Sequence, residues 1–443
     1  MDIQFIRANY EIAKQNQRNR YSNPNIIDEI LNYDKQWKEL QFEGNKLRKF
    51  KNKLSESFKN SAKTQMISFD QDYTFDQFIK DSDDNLKKLE DLTKEQLKNC
   101  GKYINQKICD VNTTCEQLLQ SRDKLIHSLG NLLHKDVVLS NNENDNKIIF
   151  ESPNINRQKL KYNHVQLGKM LDIIDCDNGI KVAGNRGYFL TGVGVKLNLA
   201  LLQYASDFLE QRNYKLMQTP HIVEKQLMAK ITQLSEYEET LYKLDGYDKF
   251  LIATSEQPLT AYFNNRQVEK NELPIKFAGL SECYRKESGR HGQNTLGIFR
   301  VHQFQKIEQF CVTEADKSHE LFQEMIDVAK TFYESLEFKF RIINIVSGAL
   351  NNSASIKFDI EAYFPGSDFF GELVSCTNCL DYFSKRLNTK IKSTKEYVHM
   401  LNCTLMANTR VLCCIMETYQ TENGIIIPNV LQKYMNCDFI KFK

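Results

Sequence analysis

The sequence contains no uninterrupted apolar run near the ~18 residues that a bilayer-spanning helix needs, so no membrane helix is expected. Its opening, MDIQFIRANYEIAKQNQRNRY, lacks the basic head and apolar stretch of a signal peptide. Acidic Asp2 and Glu11 also speak against an organellar transit peptide. Charge of one sign is missing too: 59 basic against 57 acidic side chains leave a formal net charge of +2. Any nucleic-acid surface must therefore come from local clustering of Lys and Arg. There is no GxxxxGK[ST] loop, no GxGxxG after a strand and no HExxH, so a nucleotide site must be built without a glycine-rich cradle. The twelve cysteines sit in a long chain without a secretory signal. Free, mostly buried thiols in a reducing compartment are expected, and the cytoplasm is the expected location.

What is present falls into two regions. At 443 residues the chain exceeds one ordinary core, and about 150 residues per domain predicts two or three units. The positions Ile30, Tyr33, Trp37, Leu40, Gly44, Leu47, Lys51, Leu54 and Phe58 are spaced alternately by three and four, the spacing of a helix–helix seam, with Gly44 and Lys51 as poor seam residues. A second run offers Cys100, Ile104, Ile108, Val111, Cys115, Leu118, Leu125 and Leu129, interrupted by Arg122. A polar stretch around Asp70 to Asn85 separates them, which predicts an antiparallel helical pair. The first helix carries Lys35, Lys38, Lys46, Arg48, Lys49, Lys51, Lys53 and Lys59. Such a face can follow a phosphate backbone; the alternative is a solvated coiled-coil face.

A polar linker, SNNENDNK, follows Leu139 and marks the expected boundary between residues 1–139 and 140–443. Beyond it, short apolar stretches at 250–253, 298–302, 307–312, 338–343 and 358–363 read as strands, with helical runs at 197–211 and 319–336 between them. Several of the stretches alternate polar with apolar, which predicts an α+β domain on an antiparallel sheet. The densest cluster of polar side chains is SECYRKESGRHGQNTLGIFRVHQFQKIEQF, residues 281–310. On a strand, Arg285 and Glu287 would share a face, the even positions 300 to 308 of the return strand would likewise share one, and the two sets would crowd one sheet surface. Two guanidiniums suit phosphate oxygens, a carboxylate can hold an ammonium, and the Phe304 ring can stack on a base. A surface hairpin with cross-strand ion pairs is the plain alternative.

This hairpin resembles motif 2 of class II aminoacyl-tRNA synthetases, and its RVHQFQKIEQF ending resembles the seryl enzymes, of the cytosolic eukaryotic type. LMQTP at 216–220 resembles motif 1 and implies a homodimer formed through the region around Pro220. TSEQP at 254–258 is similar to the seryl TxE element, GELVSCTNCLDY from Gly371 to the element that supplies ATP and metal contacts, and LNCTLMANTR at 401–410 to motif 3. The class I signatures HIGH and KMSKS are absent.

The resemblance implies a class II catalytic domain with an antiparallel sheet flanked by helices over 140–443, and a tRNA-binding helical arm over 1–139. It implies that L-serine is activated by ATP and transferred to tRNA(Ser), with tRNA(Sec) as a further acceptor it allows. By the same resemblance Arg285 and Arg410 are the catalytic arginines, on the α- and γ-phosphates. ATP would also meet Glu287, Arg300, Val301, Phe304, Glu372 and Ser375, with Glu372 and Ser375 holding Mg²⁺ between phosphates. Serine would sit among Thr254, Glu256, Glu308, Asn402 and Thr404.

Two features depart from the pattern: Gly371 stands where Arg is common before Glu372, and the motif 2 loop carries neutral Gln293 and Leu296. They motivate a second reading, a catalytically silent paralogue that binds tRNA; a relative that activates another small amino acid is a third. The lone Cys376-x-x-Cys379 has no second pair at metal spacing, so no zinc is expected. Cys413 and Cys414 are expected in the core, and His302 is assigned no role.

Overall fold

The long N-terminal helices form because their apolar residues recur at seam spacing. A computed structural model describes residues 1–60, 93–153, 159–232, 240–287 and 297–443. The polar stretch at 70–85 and loop residues Gln293 and Leu296 lie outside the described residues. Two short helices, α1 (Ile3–Ala8) and α2 (Tyr10–Asn19), precede the long α3 (Ile26–Asn60) and α4 (Lys94–Ser128). Thr93 caps α4 reciprocally: its hydroxyl accepts from the Gln96 amide and its own amide donates to the Gln96 side chain.

The pair α3–α4 is antiparallel, since Leu54 lies near Gly101, Gly44 near Val111 and Asp34 near Arg122. Its seam buries Ile30, Leu47 and Leu54 against Cys100, Ile104, Val111 and Cys115. Gly44 permits the close approach, as a Cβ there would stand 3.2 Å from a Val111 methyl. Lys51 is exposed, and neighbouring Phe50 takes the buried place instead. Arg122, which interrupts the apolar run, ion-pairs with buried Asp34 at 3.0 Å and lies over the Trp37 ring. Arg7 and Lys38 reach the same carboxylate. Burial alone would raise the Asp34 pKa, but these three cations outweigh it and hold the group at about 2.

The chain forms two compact units, one of Asp2–Gln15 with Asn23–Leu129 and one of Met1, Asn16–Ser22 and Gly130–Lys443. The units part at Leu129, ahead of the polar linker, because residues 131–139 are bonded to the larger unit. Asn131 donates to the carbonyls of Ser353 and Cys379, and the His134 amide donates to Ser355.

The larger unit is built on an eight-stranded sheet among the described residues. Its strands are β1 (Lys147–Glu151), β2 (Lys215–Gln218), β3 (Ile275–Tyr284), β4 (Gln303–Thr313), β5 (Phe340–Asn344), β6 (Ile356–Phe364), β7 (Phe369–Asn378) and β8 (His399–Ala407). They run in the order β1-β5-β6-β7-β8-β4-β3-β2, antiparallel except for the parallel pair β2–β3. Helices α5 (Val193–Glu210), α6 (Glu256–Ala261), α7 (Ser318–Ser335) and α8 (Asn408–Thr418) accompany it. Phe322, Phe332, Tyr333, Phe340 and Phe364 are fully buried in its main core. Side chains of this size each contribute about 1.5–3 kcal/mol by leaving water.

Three local features depart from simple alternation. Arg285 and Glu287 lie beyond the end of β3, and Glu287 has a φ of 49°, a left-handed conformation that no strand can carry. Residues 298–302 form a bend rather than a strand, because pairing of the hairpin begins at Tyr284 with Gln303. Two bulges reverse the parity of their strands: Leu373 is the extra residue of β7 against β6, and Leu405 of β8 against β4. The first puts Glu372 and Ser375, three residues apart, on one face. The second lets one strand present Asn402 and Thr404 and then Ala407 to the same cavity.

Candidate active site

The centre of the sheet, where β4, β7 and β8 lie side by side, floors a cavity of about 240 Å³. At one end β4 projects Lys306 and Glu308, both buried, toward the segment that leads into α6. One oxygen of Glu308 accepts from the Thr254 hydroxyl at 2.5 Å, the Ser255 hydroxyl at 3.1 Å and the Glu256 amide at 3.2 Å. The Lys306 ammonium lies 2.9 Å from the same oxygen and donates to Thr254 at 2.7 Å. Burial would raise the Glu308 pKa; Lys306 and the hydroxyl donors prevail and hold it below the usual carboxylate range. Beside it, Asn402 donates to Glu256 at 2.8 Å. Thr404 pairs directly with Glu308 across β8–β4.

The other end is lined by guanidiniums. Arg285 donates to the Ala253 carbonyl at 3.2 Å, and its charge lies 5.2 Å from the Phe304 ring centre. Arg300 and Arg186 both approach Glu287, each at 3.6 Å. Arg410, in the first turn of α8, donates to the Glu372 carbonyl at 2.8 Å and lies 3.4 Å from the Glu372 carboxylate. Burial opposes ionisation of Glu372, but Arg410, Lys357, Arg285 and Arg300 together bring its pKa down to about 2. Asp359, opposite Ser375 on β6, is buried with Lys357 at 3.3 Å. Burial, reinforced by Glu372, pushes the Asp359 carboxyl up to about 7.

Glu372, Ser375 and Asp359 are all hard oxygen donors, the set that suits Mg²⁺ rather than a soft metal. The buried Oδ1 of Asp359 has no hydrogen-bond partner among the described residues, which fits a cation nearby. Three arginines around a cleft that also holds a ring and an acidic, hydroxyl-rich end can receive a polyphosphate, a base and a small ammonium compound together.

The comparisons with known proteins agree with that chemistry. Residues 1–100 match the seryl-tRNA synthetase N-terminal domain, and 237–419 match the tRNA synthetase class II core domain (G, H, P, S and T). A serine–tRNA ligase of Helianthus annuus is 41% identical over 459 residues, covering 100% of this chain and 99% of the relative. The chain belongs to the seryl-tRNA synthetase family.

Two solved structures of the family align with it over its whole length. The cytoplasmic serine–tRNA ligase of Naegleria fowleri in complex with AMP gives a TM-score of 0.88 at 40% identity, covering 100% of this chain and 99% of that one. The seryl-tRNA synthetase of Pyrococcus horikoshii complexed with ATP gives 0.86 at 30% identity, covering both chains fully (100% each). As a member of the seryl-tRNA synthetase family, the chain is an aminoacyl-tRNA synthetase with the class II sheet and the long helical arm.

The structure brings every residue named from the resemblance to this one cavity: Thr254, Glu256, Arg285, Glu287, Arg300, Val301, Phe304, Glu308, Glu372, Ser375, Asn402, Thr404 and Arg410. Val301 lines the cavity although it is almost wholly buried. Sequence reasoning passed over Lys306, Lys357, Asp359 and Phe299, which also line or flank the seryl-tRNA synthetase site. Lys306 was within reach, since it shares the even parity of Phe304 and Glu308. Asp359 and Lys357 gave no such signal, because only the pairing of β6 with β7 sets them beside Ser375. His302 accepts a backbone role: its ring nitrogen meets the Arg285 carbonyl at 2.9 Å, and its own carbonyl accepts from the Arg285 amide. All twelve cysteines are free thiols, and Cys376, Cys379, Cys413 and Cys414 are buried.

Proposed function

We propose that this cavity joins L-serine to ATP and then passes the seryl group to tRNA(Ser), with each step carried by the residues named above. The observation that carries the reading is the Glu308 hub: a buried carboxylate, held ionised by Lys306 and three further donors, at the end of a cleft lined with arginines. The serine ammonium is held by Glu308 and Glu256, while Thr254, Asn402 and Thr404 offer partners for the hydroxyl. A pocket that satisfies a hydroxyl rejects alanine by leaving buried polar groups unpaired, and it rejects large side chains sterically.

Arg285 and Lys306 draw the serine carboxylate and the α-phosphate together. A carboxylate oxygen attacks the α-phosphorus, the bond to the bridging oxygen breaks, and pyrophosphate leaves with the electron pair, giving seryl-adenylate. Arg300 and Arg410 take the charge that builds on the leaving phosphates, and Phe304 and Glu287 hold adenine by stacking and by its edge. Glu372 and Ser375, with Asp359 behind them, would hold Mg²⁺, which supplies further charge neutralisation on the phosphates. A ribose hydroxyl at the tRNA 3′ end then attacks the seryl carbonyl, and AMP leaves. No side-chain nucleophile is required.

Exposed Leu216 and Ile222, which flank Pro220 in sequence, support the homodimer interface. The exposed lysines of α3 support contact with the tRNA backbone. Within its family the chain is placed in the cytoplasm, with the relatives that carry that name.

Serine-dependent exchange of pyrophosphate into ATP tests the reading. Exchange with serine, and weak exchange with threonine, alanine or glycine, is the expected result. A folded dimer that binds tRNA without exchange would establish the silent paralogue instead, and preference for another amino acid would overturn the pocket assignment.

A further inference from the structure

Phe299 is almost completely buried at the edge of the cavity, yet one face of its ring carries a charge: the Arg410 guanidinium carbon lies 5.0 Å from the ring centre. Two other rings hold Phe299 from behind. It meets Phe364 at 5.4 Å and 80°, and Phe369 at 5.7 Å and 73°. Those two stack on each other at 5.0 Å and 14°, facing across the β6–β7 pair. The packing leaves no room at position 371. A Cβ on Gly371 would stand 2.6 Å from Phe364, 3.0 Å from Phe369 and 3.1 Å from Phe299, so any side chain there must displace the rings.

We infer that Phe299, seated by Gly371 and the Phe364–Phe369 stack, is a positioning residue that aims Arg410 at the terminal phosphate of ATP. The inference rests on the proposed role of Arg410. Its logic lies in what else holds that arginine. Arg410 is tied to the carbonyl and the carboxylate of Glu372. In the proposed reaction the carboxylate is needed for the cation on the phosphates, so during turnover the guanidinium keeps one backbone acceptor and the ring face. A long side chain with two restraints of different kinds stays in one rotamer, whereas a single hydrogen bond lets it swing. The cation–ring attraction acts on the charge without competing for the donors that must reach phosphate. Gly371, a departure from the family pattern in the sequence, is thereby tied to the aromatic support beneath the arginine.

The test compares ligands that differ in the two distal phosphates, which include the terminal one that Arg410 would touch. Binding of ATP and of AMP is measured by calorimetry on the full-length protein, for wild type and for Phe299→Leu, Gly371→Ala and Arg410→Lys. Leu keeps bulk and loses the ring face, so Phe299→Leu is expected to weaken ATP by about tenfold and AMP by less than about twofold. Gly371→Ala, which reaches the same rings from β7, is expected to imitate Phe299→Leu. A merely structural role would weaken AMP and ATP equally, and that result overturns the inference. So does a Phe299→Leu protein with an unchanged ratio. If Arg410→Lys also leaves the ratio unchanged, the assignment of Arg410 to the terminal phosphate falls as well, which separates the two failures.

Discussion

Arg410 donates to the main-chain carbonyl of Glu372 at 2.8 Å while lying 3.4 Å from the carboxylate of the same residue. One residue on β7 thus holds the arginine at the start of α8 both by backbone and by charge. The carboxylate side chain is 43% exposed to the cleft; partial loss of hydration there opposes ionisation, but Arg410, Lys357, Arg285 and Arg300 outweigh it and hold the pKa at about 2. It stays ionised at any working pH. Replacing it with the neutral amide, Glu372→Gln, is expected to lower serine-dependent exchange by about 100-fold or more, the scale of losing one charged group that faces the reacting phosphates. The Mg²⁺ concentration for half-maximal exchange should rise as well. Exchange at the wild-type rate and the wild-type Mg²⁺ requirement would contradict the assignment.

Glu308 is the residue whose loss should most selectively harm serine. Glu308→Gln keeps the size of the side chain but removes the anion that Lys306, Thr254, Ser255 and the Glu256 amide converge on. It also leaves the buried Lys306 ammonium without its counter-charge. Steady-state exchange should show kcat/KM for serine reduced by about 100- to 1000-fold. ATP binding, measured separately, should change by less than about threefold. Equal loss for both substrates would mean that Glu308 supports the fold rather than the amino acid.

The parts of this site differ in how far the sequence reveals them, and the difference has a physical cause. Phe304, Lys306 and Glu308 follow plain strand alternation, so their shared face can be read from spacing alone. Arg285 and Glu287 cannot be placed that way, because the chain leaves the sheet at Tyr284 and Glu287 turns left-handed without a glycine to announce it. The bulges at Leu373 and Leu405 carry ordinary apolar residues, and each flips the parity of every position beyond it. Glu372 and Ser375 therefore look as though they should face opposite ways, and only the resemblance united them. In the arm, Arg122 reads as a fault in the seam until Asp34 is found opposite it. A buried ion pair is a three-dimensional fact that no single heptad pattern contains. Gly44 likewise looks like a weak seam residue and proves to be a point of close helix approach.

That ion pair gives the arm a distinct acid sensitivity. Asp34 is held at about 2 by Arg7, Lys38 and Arg122 against an ordinary value of 3.8, with burial opposing them. A depressed carboxylate stabilises the fold above the unfolded-state pKa, and that contribution is lost as pH falls through the folded-state value. The Asp34 carboxylate is only 3% exposed, so the shift corresponds to about 2 kcal/mol at neutral pH. Chemical denaturation of wild type and Asp34→Asn at pH 7 should differ by about this amount or more, since the amide also removes the anion that Arg7, Lys38 and Arg122 share. The gap should narrow as pH falls from about 4 to about 2, the range set by the two pKa values, below which both proteins carry a neutral side chain. A gap that does not depend on pH would mean that packing, not charge, makes the difference.

The arm also allows transfer to be separated from activation. Lys46, Lys49 and Lys51 are exposed on α3, remote in sequence from every residue of the cavity. If they neutralise tRNA phosphates, each contact releases counterions, and the affinity for tRNA falls with salt in proportion to the number of contacts. The triple variant Lys46→Glu, Lys49→Glu, Lys51→Glu is therefore expected to weaken tRNA binding by about tenfold or more at moderate salt. The slope of log affinity against log salt should become shallower by about two to three, close to one per lost contact. Serine-dependent pyrophosphate exchange without tRNA should remain at the wild-type rate, because no cavity residue has changed. Aminoacylation should fall through KM for tRNA and recover at high tRNA concentration. An unchanged salt slope would mean that these lysines form only a solvated face, and that tRNA is held by another surface of the chain.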